Sequence, residues 1–87
     1  MIQANTIKVK IEQHLPGCMV YVDGEDGRHF TATVVSEQFM GKTRVQQQQM
    51  VYQTLQEVIQ AGTLHALSLQ TYTPTEWQAK IKCDNNG

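Results

Sequence analysis

The sequence predicts an α+β domain: a three-stranded mixed sheet with helices on one face, in the order α-β-β-α-α-β-α. Three observations predict it. The apolar pattern changes along the chain from helical steps to alternation and back. Pro-Gly and single glycines fall where it changes. A long helical segment separates the second and third β-rich runs, the kind of crossover that joins parallel strands. With 87 residues, the chain is one small domain with one modest core.

The first element covers residues 5–15, NTIKVKIEQHL. Ile7, Ile11 and Leu15 recur at steps of four with Val9 off the stripe, and Pro16-Gly17 stops the segment. Ile7 to Ile11 also alternates as a strand would, but Glu12-Gln13 and the Pro-Gly stop favour a short amphipathic helix. Two β-rich runs, Cys18 to Val22 and Phe30 to Val35, flank the acidic, glycine-containing stretch Asp23 to Arg28 and read as a hairpin. Ser36 to Met40 has room for one or two turns before Gly41.

Thr43-Arg44-Val45-Gln46 forms a capping box that opens the longest helix, and Gly62 closes it. Its predicted inward stripe is Val45, Gln48, Tyr52, Leu55 and Ile59, with Val51 and Val58 beside it. The run Gln46 to Gln49 is read as a neutral solvated face. Leu64 to Tyr72 is the third strand, with Leu67 and Leu69 inward. Thr73-Pro74-Thr75-Glu76 caps a terminal helix carrying Trp77. The domain is expected to span residues 1–82, with 83–87 as a flexible tail.

Composition narrows the function. Seven basic against eight acidic side chains leave a net charge of −1, so the sequence lacks the basic excess that drives phosphate-backbone binding. No long apolar run or apolar leader is present, which predicts a cytoplasmic protein with no membrane association. Cys18 and Cys83 have no paired spacing and are read as reduced thiols. No nucleophile-base pair, phosphate-binding glycine loop or paired-carboxylate motif points to an enzyme. Asp23, Glu25 and Asp26 are read as solvated loop carboxylates.

The segments VVSEQFMGKTRVQQQQMVYQTL (34–55) and LHALSLQTYTPTEWQ (64–78) resemble the BolA-like family in content, order and separation. The resemblance spans roughly residues 7 to 80 and implies a class II KH-like fold, in keeping with the element order above. It further implies a partner, a monothiol glutaredoxin, with which such proteins share a bridging [2Fe-2S] cluster. The glutaredoxin cysteine and a glutathione thiol then hold one iron. The BolA-like chain ligates the other through the histidine of its H-A-L motif, here His65, and a histidine or cysteine from the first loop. This chain's shorter first loop offers His29, just before Phe30. Where family members often carry a basic Q-R-H-R in the long helix, this chain has four neutral glutamines, like the shorter bacterial paralogues associated with acid stress.

Imidazole suits iron under mixed nitrogen and sulfur ligation and raises the reduction potential relative to thiolate. Two histidines do not complete a cluster, so a partner must bring thiolates. Without the resemblance, His65 would read as a structural strand residue and His29 as a strand-edge one. His14 is read as a favourable charge at a helix C-terminus, Cys18 as a small buried side chain or a minor alternative ligand, and Cys83 as an oxidisable tail thiol. Lys42 and Arg44 flank the turn where RNA-binding KH-like domains carry a GXXG clamp. Only Gly41 is present there, so the GXXG signature is absent; the resemblance and the KH-like analogy nonetheless imply an alternative reading, a stress-linked transcriptional regulator that contacts DNA through Lys42 and Arg44. A weak homodimer is a further expected assembly.

Overall fold

A computed structural model describes residues 3–24, 29–62, 64 and 66–86. Helix α1 (Ala4–His14) leads into a hairpin of β1 (Met19–Asp23) and β2 (His29–Val35). A 3-10 turn at Glu37–Phe39 then precedes α2 (Arg44–Thr54), α3 (Gln56–Gln60), β3 (Ala66–Tyr72) and α4 (Pro74–Asn86). The sheet order is β1-β2-β3, with β1 antiparallel and β3 parallel to the central β2, the mixed sheet that the sequence predicts.

Alternation divides the sheet into two faces. Val20, Phe30, Ala32, Val34 and Thr71 are buried on the first face, with Leu67 and Leu69 half-buried beside them. On this side Ile7 and Ile11 of α1, Leu15 at its C-cap, Val51 and Leu55 join Val20, Phe30 and Val34 in one apolar cluster that also takes in Phe39 and Leu64. The first segment is thus a helix, and its inward residues are the three that the step of four selects.

Met19, Tyr21 and Asp23, then His29, Thr31, Thr33 and Val35, then Ser68, Gln70 and Tyr72 belong to the second face. Trp77 of α4 meets two of these residues, stacking on Tyr21 at 5.7 Å and lying tilted against Tyr72 at 5.4 Å between ring centroids. One face for all helices therefore holds for α1 and α2, while α4 brings its indole to the other. Val35, 4% exposed, is paired with both Met19 and Tyr72 and is buried at this end of the second face.

The long helix differs from its predicted form in two ways. It breaks at Leu55, whose N–H bonds to Tyr52 O three residues back. The Thr54 hydroxyl donates to Val51 O at 2.7 Å, a back-bond that bends helices. The inward stripe is Gln47, Val51 and Leu55, while Val45, Tyr52 and Ile59 are exposed. A glutamine takes the position where an apolar residue is expected because both ends of its amide are hydrogen-bonded there, as described below. The terminal helix also continues through 83–86, where a tail is expected, since no Gly or Pro interrupts it between Pro74 and Gly87.

Candidate functional site

Two parts of the molecule concentrate chemistry, and both are set by the sheet. At one end, Gly24 ends the run out of β1 against Phe30. A Cβ on Gly24 would lie 2.2 Å from Phe30 Cδ1, so only glycine lets the backbone approach this ring. With Phe30 buried at 2% exposure, alternation turns its neighbour His29 outward, where it is exposed. The parallel register pairs His29 with Ala66, the chain neighbour of His65. His65 itself lies outside the described residues, as do Glu25 and Asp26. Above His29 on the same face, Asp23, Thr31 and Ser68 form an exposed polar row across the three strands.

At the opposite end, α2, β3 and α4 are tied by a polar network that the sequence reading misses. Gln47, 5% exposed, donates through Nε2 to Phe39 O and Lys42 O, each at 3.1 Å. Its Oε1 accepts from the fully buried Thr71 hydroxyl at 2.8 Å. The neutral solvated run is thus corrected at its centre: Gln47 is a buried linker with its amide satisfied, as a buried polar group requires.

Arg44 donates to the Thr71 carbonyl, lies 3.5 Å from Glu76 Oε2 and places its guanidinium 5.8 Å from the Tyr72 ring centroid. Gln48 Nε2 reaches Leu69 O at 3.5 Å. Two carbonyls of β3, Leu69 O and Thr71 O, are therefore met by side chains of α2. Both predicted capping boxes are present. Thr43 Oγ1 accepts from Gln46 N–H while Gln46 Oε1 accepts from Thr43 N–H; Thr73 and Glu76 exchange the same pair. The Thr73 N–H, and secondarily the Arg44 charge, hold the Glu76 carboxyl below its ordinary range.

The other singled-out residues fall outside both regions. Cys18 is half-buried against the core, and burial together with the nearby Glu12 charge pushes its thiol up, which disfavours the thiolate a metal needs. His14 Nδ1 donates to Lys10 O at 2.9 Å in the last turn of α1. Lys42 is exposed beside Gly41, whose φ of +77° explains the glycine there. For Cys83 the structure describes the helical backbone only. Among the described residues, no three His, Cys, Asp or Glu side chains group closely enough to hold a metal ion. No helix among them is long and apolar enough to cross a membrane.

Fold and sequence together define a small α+β module with a mixed three-stranded sheet, and comparison with known proteins places it. Residues 2–76 match the family model described as BolA-like protein, so the chain belongs to the BolA-like family. It is 48% identical over 58 residues to the acid stress protein IbaG of Escherichia coli, covering 67% of this chain and 68% of that one. It is also 48% identical over 50 residues to a protein of Vibrio cholerae named as the DNA-binding transcriptional regulator BolA, covering 58% and 46% of the two chains. The solved structure of a BolA homologue from Coxiella burnetii superposes with a TM-score of 0.79 at 39% identity, covering 90% of this chain and 99% of that one.

Proposed function

We propose that this protein is a non-enzymatic cytoplasmic adaptor that docks a monothiol glutaredoxin and co-ligates a bridging [2Fe-2S] cluster through His65 and His29. The observation that carries this reading is the register of β2 against β3, which pairs exposed His29 with the chain neighbour of His65. A fixed pairing between two sheet strands is a rigid base for ligands, more so than two loops would be. Neutral imidazole is the form that binds iron, and two imidazoles leave the other iron to thiolates from the glutaredoxin and glutathione. The cluster is cargo here, passed on in iron-sulfur trafficking or read as an iron or stress signal.

Titration of the protein into [2Fe-2S]-loaded monothiol glutaredoxin with glutathione, followed by visible circular dichroism, tests the reading. A new cluster spectrum that saturates at one-to-one and is lost in His65→Ala is the expected result. An unchanged spectrum with the wild-type protein refutes it. The name of the Vibrio cholerae relative favours a second reading, direct DNA binding by a stress-responsive regulator. Lys42 is the exposed cation for such a role, whereas the Arg44 guanidinium is engaged by Thr71 and Glu76. Salt-sensitive DNA binding lost in Lys42→Ala would support that reading.

A further inference from the structure

The terminal helix α4 is held differently from the other long helices. Helix α1 buries Ile7 and Ile11, and α2 buries Gln47 and Val51, whereas no side chain described between Pro74 and Lys82 is buried. The apolar core likewise includes no described residue of α4. Among the described side chains past Pro74, only Trp77 and Ile81 are even half-buried. Trp77 brings α4 onto the second sheet face, but its contact there is poorly satisfied. The indole stacks on Tyr21, itself 49% exposed, and its Nε1 is buried with no hydrogen-bond partner among the described residues. A buried donor without an acceptor regains a hydrogen bond to water on release, which offsets what the aromatic contacts contribute. The polar contacts at the start of α4 do not oppose release. Thr73 and Glu76 cap the helix from within, and the Arg44–Glu76 pair sits at the same turn with both side chains about half exposed.

We propose that α4 is a strap that opens as a unit while the rest of the domain stays folded, and that its closure regulates access to the second sheet face. The regulation rests on the functional reading above. His29 lies on that face, and Thr33, the register partner of Tyr21, follows it by about 13 Å along β2. A standard interface of ~800 Å² per partner is about 30 Å across, so a glutaredoxin centred on His29 reaches the indole. It docks on the open form, and closure reduces its apparent affinity in proportion to the open fraction.

Amide hydrogen exchange of the intact free protein, read by NMR, tests the opening without any partner. A helix of 13 residues is marginal alone in water, so its amides exchange once it leaves the sheet. Those of Gln78 to Lys82 should exchange at least about a hundredfold faster than those of Phe30 to Val34. Trp77→Ala should speed exchange in α4 by a further factor of about ten, which fraying of a helix end would not do. Trp77→Phe keeps a ring without the orphaned donor and should open no more often than wild type. Equal protection in α4 and β2 overturns the strap. So does exchange in α4 that Trp77→Ala leaves unchanged, or Trp77→Phe opening as often as Trp77→Ala.

Titration of the same three chains with [2Fe-2S]-loaded monothiol glutaredoxin and glutathione tests the regulation. Trp77→Ala should bind about tenfold more tightly than wild type, and Trp77→Phe no more tightly. Weaker binding by Trp77→Ala would make the indole part of the dock and overturn the gating. Absence of binding by every chain, wild type included, refutes the functional reading and the gating with it, while the exchange rates still decide the opening.

Discussion

The α2–β3–α4 junction and the His29 end of the sheet are both polar, yet they are built in opposite ways. At the junction, the polar groups are turned on one another: Gln47 satisfies two carbonyls and a hydroxyl, Arg44 meets Thr71 and Glu76, and two capping boxes lock the helix starts. At the other end, His29, Thr31, Ser68 and Asp23 are presented to solvent on a strand pairing that holds them in register. Polar side chains that close on each other stabilise the fold, and exposed side chains on a rigid base can be reached by a partner.

That contrast is open to direct attack. The largest loss of stability should follow Gln47→Leu, which takes the donor from Lys42 O and the acceptor from the buried Thr71 hydroxyl, while Phe39 O keeps the Lys42 N–H; about 2–3 kcal/mol is expected from urea unfolding. The matching change at the open end, His29→Ala, should cost less, about 1 kcal/mol or below, because contacts of an exposed side chain are screened by solvent. Equal losses at the two positions would erase the distinction.

Next in size is Gly24→Ala. Its new methyl must displace the Phe30 ring or the chain over it, for about 1–3 kcal/mol, and the strain falls beside His29. Cluster co-ligation should weaken with stability, which tests whether the approach of Gly24 to Phe30 positions that end. Trp77→Ala should cost about 1–2 kcal/mol and remove near-ultraviolet dichroism from the Tyr21–Trp77–Tyr72 group.

The smallest effect is the acid response of the junction. The Glu76 carboxyl is held below its unfolded value, so its contribution is fully present above the ordinary glutamate range and fades as the pH falls through the lowered folded value. Glu76→Gln should be less stable than wild type near neutrality, and the gap should close in acid, as read by unfolding midpoints across pH. The Glu76 side chain is 45% exposed, so solvent screening keeps the effect small.

Local signals in the sequence translate well into structure. The capping boxes at Thr43 and Thr73, the α1 stripe and the parallel third strand each depend on residues a few positions apart or on one crossover rule. The inward face of α2 is not legible in the same way. Hydrophobicity favours Val45, Tyr52 and Ile59, and the burial of Gln47 is decided by carbonyls at Phe39 and Lys42 and by Thr71, 24 positions further along the chain. Likewise Arg44 reads as a surface cation until its distant partners on β3 and α4 are in place. At the candidate site, the resemblance points to His29 as the histidine that the first loop offers, and the register adds what spacing cannot, its pairing with the neighbour of His65.

The central claim is that this chain contributes two imidazoles to a shared cluster, and pulsed EPR of the reduced complex with glutaredoxin and glutathione tests it most directly. Two histidine nitrogen couplings are expected in the wild-type complex and one in His29→Ala, with the far-ultraviolet circular dichroism of the free variant matching wild type. Couplings that are absent from the wild type, or identical in the variant, would contradict it.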